Sequence, residues 1–207
     1  MKYDADYYER GVELGISGYT DYKWIPELTV PMCESIAETL PLSIKDEILD
    51  FGCAKGFVVK GFRSLGFDTY GVDVSEYAIK SVHEDVRDVC KHYTNTIDEA
   101  FGSKVFDVVI SKDVFEHISY EMIDTVLLDI RKHTRRLFCV IPLGIDGKYI
   151  IPDYENDVTH VIREPLEWWN NKLTNAGFVL DFSNYSFPGV KDNWSHWKKG
   201  NGFIYAT

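Results

Sequence analysis

The sequence predicts an α/β protein built on a doubly wound, mostly parallel sheet of seven strands, with an antiparallel strand at the C-terminal end. Strand-like and helix-like patterns alternate between residues 48 and 141, as expected for parallel strands joined by crossover helices. The fourth strand-like run is apolar and β-branched, which is typical of a strand buried on both faces. The last two strand-like runs are joined by a loop rather than by a helix, so we expect that pair to be antiparallel.

The predicted elements follow one another in a regular order. A tyrosine-rich segment opens the chain and carries a helical pattern at 32–40, between Pro31 and Pro41. Pro165 and Gly177 are expected to bound the last helix. The predicted strands are 48–51, 69–73, 89–93, 105–110, 137–141, 179–182 and 203–206, and the predicted helices of this part are 57–65, 76–84, 121–133 and 165–176.

Length and composition favour one folded domain with an appendage. A chain of 207 residues, 45% of them hydrophobic, can bury a sizeable core without a disulfide or a structural metal. We expect residues 1–46 to form an N-terminal helical appendage or lid, and residues 47–207 to form the main domain with an inserted loop at 144–163. Without metal-ligand spacing, the cysteines are expected as small buried side chains: Cys33, Cys53, Cys90 and Cys139.

The charge of the chain argues against a polyanionic partner. The chain has 22 Lys and Arg residues against 33 Asp and Glu residues, which gives a formal net charge of −11. Binding to a phosphate backbone depends on Lys and Arg, so we expect no nucleic-acid partner. The N-terminus has no apolar signal segment and no apolar run is long enough for a membrane span, so a soluble cytoplasmic protein is expected.

The junction between the first strand and the first helix has the composition of a ligand-binding turn. Its sequence, Asp50-Phe51-Gly52-Cys53-Ala54-Lys55-Gly56, lets a ligand approach the backbone at the carboxyl end of a strand. Asp73 ends the second strand 23 residues after Asp50, where its carboxylate can accept hydrogen bonds from both hydroxyls of a ribose. The pair indicates a nucleoside ligand, although strands also end in Asp as a helix cap.

Four ordered segments resemble those of class I S-adenosylmethionine-dependent methyltransferases, in the small-molecule branch. They are a glycine motif at 48–56, a ribose-binding acidic segment at 71–75, a fourth-strand motif at 106–118 that ends in Glu116-His117, and a late segment with Thr159-His160, Leu166 and 176–178. The resemblance runs from about Glu47 to the C-terminus. It implies a Rossmann-like fold with S-adenosyl-L-methionine as cofactor and S-adenosyl-L-homocysteine as product.

The resemblance also implies roles for individual residues. The glycine motif would hold the methionine portion of the cofactor, Asp73 the ribose and Val74 the adenine. Ser111 and Lys112, just past the fourth strand, would lie beside the sulfonium. The implied cofactor-binding residues are Asp50, Gly52, Cys53, Ala54, Gly56, Phe57, Asp73, Val74, Tyr93, Thr94, Ser111 and Lys112.

Ala54 departs from the family pattern, which often has a glycine at this position. Because Ala disfavours positive φ, we expect either an ordinary backbone conformation at Ala54 or a loss of cofactor affinity. A nicotinamide cofactor is the rival interpretation, but it prefers GxGxxG, and residues 52–56 keep too few glycines.

Two histidines are the candidate catalytic residues for methylation of a hydroxyl, which benefits from a general base near neutral pH. His117 follows the fourth strand, and His160 lies in the inserted loop, where an acceptor is expected to enter. His117 can instead support the cofactor pocket, and His160 can simply order its loop. No metal ligand is assigned, because Asp113 alone does not make the acidic cluster of a catechol-type site.

The acceptor is expected to be a small polar metabolite methylated at oxygen, such as a sugar or nucleotide-sugar. N-methylation or protein methylation on the same fold is an alternative, as is a noncatalytic subunit that binds the cofactor and activates a partner. The N-terminal tyrosines can cover the cofactor or simply pack helices on the sheet: Tyr3, Tyr7, Tyr8, Tyr19 and Tyr22. A homodimer through the aromatic-rich terminal segments is a further expectation.

Overall fold

A computed structural model describes residues 3–207 and confirms the predicted fold class. The main sheet contains β1 (Glu47–Phe51), β2 (Asp68–Asp73), β3 (Cys90–His92), β4 (Val108–Lys112), β5 (Leu137–Pro142), β8 (Leu180–Asn184) and β9 (Asn201–Ala206). Two short strands, β6 (Gly144–Ile145) and β7 (Lys148–Tyr149), form a separate hairpin in the inserted loop.

The helices precede the sheet or connect its strands. They are α1 (Ala5–Glu9), α2 (Gly11–Leu14), α3 (Pro26–Thr39), α4 (Phe57–Ser64), α5 (Glu76–Lys80), α6 (Ile97–Phe101), α7 (Ile123–His133) and α8 (Leu166–Asn175). Single 3₁₀ turns lie at Glu84–Val86, Phe115–His117, Pro152–Asn156 and Asp192–Trp194.

The order of strands across the sheet is β3-β2-β1-β4-β5-β9-β8. β1 pairs in parallel with β2 on one side and with β4 on the other, so the winding of the chain reverses between β1 and β4. β9 pairs antiparallel with both β5 and β8, which confirms the expected direction of the last pair. In open sheets of this kind, the reversal leaves a crevice at the carboxyl ends of the strands.

Both faces of the sheet are buried under helices. Successive residues of a strand point to opposite faces, and in β1 Ile48 and Leu49 enter two different cores. Ile48 packs with residues of α3 and α4, whereas Leu49 packs with residues of α7 and α8. Burial on both faces explains the apolar sequences of the central strands.

Several elements begin or end away from their predicted bounds, and α5, for example, ends at Lys80 and not at 84. The first long helix, α3, starts at Pro26 and not at 32, and it contains Pro31 in its interior. Pro26 at the first helical position has no N–H to satisfy, and the N–H groups of Leu28 and Thr29 bond to the carbonyl of Ile25, so the helix begins before Pro31.

The fourth strand is shifted by two to three residues from the predicted 105–110. Val105 is exposed, and Phe106 forms only an isolated bridge with Thr134. Regular pairing with β5 begins at Val109 and continues through Lys112, so Ser111 and Lys112 end the strand instead of following it.

The expectation of an ordinary backbone at Ala54 is wrong. Its φ is 47°, in the left-handed region, between Gly52 at 88° and Gly56 at 76°. The Ala54 N–H donates to Asp73 Oδ2 at 2.8 Å, and this hydrogen bond holds the strained residue in the turn after β1. A left-handed Ala costs about 1 kcal/mol, which a hydrogen bond to a buried carboxylate can offset.

All four cysteines are buried and free, as expected for small apolar side chains. Within residues 3–207, none of the helices combines the length and the apolar composition that a membrane crossing requires.

Gly52→Ala is expected to destabilise the fold more than Gly15→Ala. A Cβ at Gly52 would lie 2.3 Å from Val114 Cγ2, whereas a Cβ at Gly15 meets nothing within 4 Å. Both residues have positive φ, so the second variant measures backbone strain alone, about 1 kcal/mol. Overpacking should add about 1–3 kcal/mol at Gly52, measured as the free energy of unfolding in urea. Equal losses in the two variants would show that Val114 moves aside freely.

Candidate active site

A cavity of about 470 Å³ opens at the carboxyl ends of β1, β2 and β4. This volume is within the range of small-molecule sites. Its floor comes from the turn after β1 and from the ends of β2 and β4, and its roof comes from the tyrosines of the N-terminal segment. The lining residues include Tyr3, Tyr7, Tyr8, Tyr19, Tyr22, Asp50, Gly52, Cys53, Ala54, Asp73, Val74, Tyr93, Lys112, Asp113, Val114, His117, Ile118, Ser119 and Met122.

Asp73 closes the turn on the floor of the cavity. Its Oδ2 accepts the N–H of Ala54 at 2.8 Å, and its Oδ1 accepts the N–H of Ser75 at 2.7 Å. Burial raises the pKa of Asp73, and the two N–H groups oppose that rise. Each carboxylate oxygen has a second lone pair, so Asp73 can still accept hydrogen bonds from ligand hydroxyls.

Asp50 brings an unsatisfied carboxyl group to the cavity. It is 3% exposed, and within the described chain its Oδ2 has no hydrogen-bond partner. Burial, together with the charge of Asp73, raises the pKa of Asp50 to about 8. At neutral pH this carboxyl therefore holds a proton unless a positive group lies beside it.

Lys112 takes part in a charged group of three residues at the end of β4. Its Nζ lies 2.6 Å from Asp113 Oδ2, and Lys191 Nζ bonds to Asp113 Oδ1. Burial alone would raise the pKa of Asp113, but the two ammonium groups hold it well below its usual value. Two positive charges on one carboxylate leave a net positive charge beside the cavity.

The N-terminal segment is fastened over the cavity at two points. On one side, Lys55 Nζ contacts Glu9 Oε1 at 2.5 Å and donates to the carbonyl of Tyr22 at 2.8 Å. On the other side, Tyr7 OH donates to Asp157 Oδ2 at 2.7 Å. The residues from Tyr7 to Tyr22 are therefore tied both to the turn after β1 and to the inserted loop.

Asp157 also fixes the orientation of His117. Thr159 Oγ1 donates to Asp157 Oδ1 at 2.6 Å, and His117 Nδ1 lies 2.7 Å from Thr159 Oγ1. Since the hydroxyl hydrogen of Thr159 points to the carboxylate, its oxygen accepts from His117 Nδ1–H. A neutral His117 in this arrangement carries its lone pair on Nε2, the atom that can accept a proton.

His160 lies behind His117 and not at the cavity mouth, where the sequence placed it. Its side chain is 7% exposed, and its Nδ1 donates to the carbonyl of Tyr154 at 2.7 Å. Its ring centroid is 4.5 Å from that of His117. Burial lowers the pKa of His160, which favours a neutral imidazole.

Glu116 is the most deeply buried acid near the site. It is fully buried, its pKa is raised well above the ordinary value by burial, and neither carboxyl oxygen has a hydrogen-bond partner within residues 3–207. Its Oε1 lies 3.9 Å from His160 Nε2. Ligand atoms of Glu116, His117 and His160 lie within 4.8 Å of one another, so this group has the spacing of metal ligands.

The structure brings most of the sequence-predicted cofactor residues to one cavity. Among the described lining residues are eight of them: Asp50, Gly52, Cys53, Ala54, Asp73, Val74, Tyr93 and Lys112. The other four do not line it. Gly56 caps the N-terminus of α4, and Phe57 packs against Tyr22 and Trp24. Thr94 bonds to exposed Glu99, and Ser111 is buried, with no hydrogen-bond partner for its hydroxyl among residues 3–207.

Sequence reasoning missed the wall that follows β4. Val114, Ile118, Ser119 and Met122 line the cavity, because the 3₁₀ turn at Phe115–His117 bends the chain back across its opening. The signal was their position on either side of the Glu116-His117 motif. The partners of His117 were also missed, since Asp157 and Thr159 lie some 40 residues further along the chain.

A protein-family model described as a methyltransferase domain matches residues 27–175 of the chain. The match includes β1, β2 and β4 and therefore the whole floor of the cavity. The chain belongs to this methyltransferase family. Together with the seven-stranded fold, the match makes it a class I, S-adenosylmethionine-dependent methyltransferase.

Curated relatives match only part of this methyltransferase. The ubiquinone biosynthesis O-methyltransferase of Rickettsia typhi is 29% identical over 109 residues, which are 49% of this chain and 44% of the relative. That of Rickettsia akari is 31% identical over 94 residues, which are 44% of this chain and 37% of the relative. The matches thus span less than half the length of these relatives.

Solved structures match the methyltransferase over most of its length. A complex of the Haloferax volcanii Trm112 methyltransferase activator with a methyltransferase has a TM-score of 0.67 at 13% identity, over 87% of this chain and 90% of that chain. A SAM-dependent methyltransferase from Archaeoglobus fulgidus has a TM-score of 0.62 at 18% identity, over 88% and 94%. At such identities, the likeness is one of fold.

The segment from Tyr7 to Tyr22 is called the cover of the cavity. Tyr7→Phe is expected to loosen this cover without unfolding the sheet. The change removes the hydrogen bond to Asp157 and leaves a buried carboxylate oxygen without its donor. The N–H of Tyr22 bonds to the carbonyl of Tyr8 within the cover, and the N–H of Val158 bonds to the carbonyl of Ile16. We expect hydrogen exchange of these two amides to become about tenfold faster or more.

Tyr70→Phe is the matched control for this measurement. Its hydroxyl bonds to Asp68 at the exposed start of β2, far from the cover. Its exchange rates at Tyr22 and Val158 should equal those of the wild type. If Tyr7→Phe also left those rates unchanged, the hydroxyl contact with Asp157 would not hold the cover.

Proposed function

We propose that this methyltransferase transfers a methyl group to a hydroxyl of a small polar metabolite, of the sugar or nucleotide-sugar class. The observation that carries the proposal is the cavity at the ends of β1, β2 and β4. There the carboxyl groups of Asp50 and Asp73 and the oriented side chain of His117 line one space. The partly matching relatives are named as O-methyltransferases, which supports oxygen as the methylated atom.

The residues on the cavity floor fit the cofactor. Gly52 lines the cavity, and Val114 occupies the space that a Cβ would need, so the backbone can adopt this turn only with glycine there. Asp50 Oδ2, which has no hydrogen-bond partner among residues 3–207, suits a positively charged group, and S-adenosylmethionine contains both an ammonium and a sulfonium. We assign the methionine portion to the turn at residues 50–54.

The other parts of the cofactor are assigned to β2 and β4. Asp73 would accept the ribose hydroxyls with its remaining lone pairs, and exposed Val74 offers an apolar face to the adenine opposite Tyr93. Lys112 would pair with the cofactor carboxylate, because Lys112 and Lys191 together carry one more charge than Asp113 neutralises.

Bound S-adenosylmethionine supplies a methyl group that its sulfonium already activates for displacement. The protein then has to align the acceptor, exclude water and take one proton. The tyrosine cover over residues 50–54 excludes water. His117 is the proton acceptor, because it lines the cavity and Thr159 and Asp157 fix its tautomer.

The proposed acceptor site lies between His117 and the wall of Ile118, Ser119 and Met122. Ser119 offers a hydroxyl to a polar acceptor, and half-exposed Met122 marks the opening toward solvent. The tyrosines of the cover line the same cavity, so a sugar or another small ring can pack against them. A cavity of about 470 Å³ that also holds the cofactor leaves room for a small acceptor only.

Calorimetric titration with S-adenosylmethionine, S-adenosylhomocysteine and NADH tests the cofactor assignment. We expect binding of both sulfur nucleosides and no binding of NADH. Asp73→Ala should weaken the binding of both about tenfold or more, because charge-assisted hydrogen bonds to the ribose are lost. A panel of sugars, nucleotide-sugars and phenols, scored by S-adenosylhomocysteine formed, then tests the acceptor class. Turnover of phenols alone would contradict it.

Binding of S-adenosylmethionine at pH 7 should release close to one proton per site. Asp50, with a pKa of about 8, is protonated in the free protein at this pH, and a neighbouring cation lowers that pKa. At pH 9 the group is already ionised, so release should disappear. The proton count comes from calorimetry in buffers of different ionisation enthalpy. Asp50→Asn should abolish release; an unchanged count in that variant would assign the proton to another group.

His117→Gln should lower kcat about 100-fold or more on the best acceptor of the panel. The affinity for S-adenosylmethionine should change little. His160→Gln is the matched control, because His160 is next to His117 but does not line the cavity. A larger loss of kcat in His160→Gln would transfer the role of base to that residue.

A further inference from the structure

A second cluster of metal-ligand side chains lies between α6 and α7, outside the residues that line the cavity. It consists of Asp98 in the first turn of α6, and Asp129 and His133 one turn apart in α7. One potential ligand atom from each residue lies within 4.8 Å of those of the other two. The two aspartates are 31 positions apart in the sequence, so their spacing does not predict a metal-binding cluster.

His133 is held with one ring nitrogen facing the two carboxylates. Its side chain is 1% exposed, and its Nδ1 lies 2.7 Å from the carbonyl oxygen of Lys104. A carbonyl can only accept, so Nδ1 carries the hydrogen and the lone pair of the neutral ring is on Nε2. Within residues 3–207 this Nε2 is buried without a hydrogen-bond partner.

Asp129 is also held from behind. Its Oδ2 accepts the N–H of Ile97 at 2.8 Å and the hydroxyl of Tyr93 at 3.2 Å. These two bonds leave Oδ1 facing His133 Nε2 at 3.9 Å. Outer partners of this kind orient the ligands in metal sites.

Asp98 completes the cluster on its exposed side. Its Oδ2 lies 3.7 Å from His133 Nε2, and the side chain is 35% exposed, which gives an ion a route from solvent. The same oxygen pairs with Lys132, whose side chain is 61% exposed. An ion that binds Asp98 would therefore have to displace the exposed ammonium group of Lys132.

The separations within the cluster suit an ion better than a shared proton. A hydrogen bond from His133 would draw a carboxylate oxygen to about 2.8 Å. The observed 3.7 and 3.9 Å are instead close to the roughly 3.4 Å between ligands of a tetrahedral ion with bonds of about 2.1 Å. From this geometry we propose that Asp98, Asp129 and His133 bind a divalent transition-metal ion, with Zn²⁺ the best match to one nitrogen and two oxygens.

The test measures Zn²⁺ affinity of the full chain by competition with a chromogenic chelator, in the presence of excess Mg²⁺. Asp98→Asn removes a partly exposed ligand and should weaken binding about tenfold or more, by analogy with losses at other metal sites. Lys132→Met removes the competing charge and should tighten binding severalfold. The two changes thus have opposite expected signs, and neither residue is in the core.

Two controls separate this site from other zinc-binding groups. Asp124→Asn, in the same helix and paired with Lys172, should leave the affinity unchanged. Glu116→Gln removes the carboxylate of the cluster with His117 and His160 and should also leave it unchanged. Two results would overturn the proposal. One is a loss of zinc binding in Glu116→Gln, and the other is an equal zinc affinity in wild type, Asp98→Asn and Lys132→Met.

Discussion

The buried carboxylate of Asp73 is the contact on which the whole site depends. It ends β2 and reaches across to the turn after β1, where it holds the N–H of Ala54, and it also caps the entry to α5 through Ser75. The hydrogen bond keeps Ala54 in the left-handed region, and so the turn stays open toward the cavity. Asp73, for which the family resemblance implies ribose binding, therefore has a structural role even without a ligand. Loss of its carboxylate changes the floor of the cavity as well as one ligand contact.

Asp157 has the corresponding role for the upper half of the cavity. One oxygen holds Tyr7 of the cover, and the other holds Thr159, which orients His117. Closure of the cover and orientation of the proposed base are thus coupled through a single carboxylate. A displacement of Tyr7 would remove one of the donors to the carboxylate that also holds Thr159. This coupling gives a physical reason for the proposed base, His117, to be correctly oriented only when the cover is closed and excludes water.

The fold was predictable because strand burial and turn composition are local properties of the sequence. The run at 48–51 and the small residues after it define β1 and its turn without reference to the rest of the chain. The left-handed Ala54 was not predictable, since its conformation depends on a hydrogen bond to Asp73 in another strand. The same reason applies to His160: its sequence position after β5 suggested the cavity mouth, but packing against His117 and Tyr149 places it inside. Contacts between distant segments decide which histidine faces the ligand.

The charges of the cavity explain why a cationic nucleoside suits it better than a neutral one. Asp50, Asp73 and Asp113 face it, and among residues 3–207 only Asp113 is paired with lysines. Burial makes the ionised form of Asp50 costly, so the free protein keeps that carboxyl protonated at neutral pH. A ligand that brings positive charge removes this cost and gains a charge-assisted contact. Methyl transfer abolishes the sulfonium charge, so under the proposed binding mode the product is held less tightly by the same acids. The electrostatic arrangement that binds the cofactor therefore also favours release after the reaction.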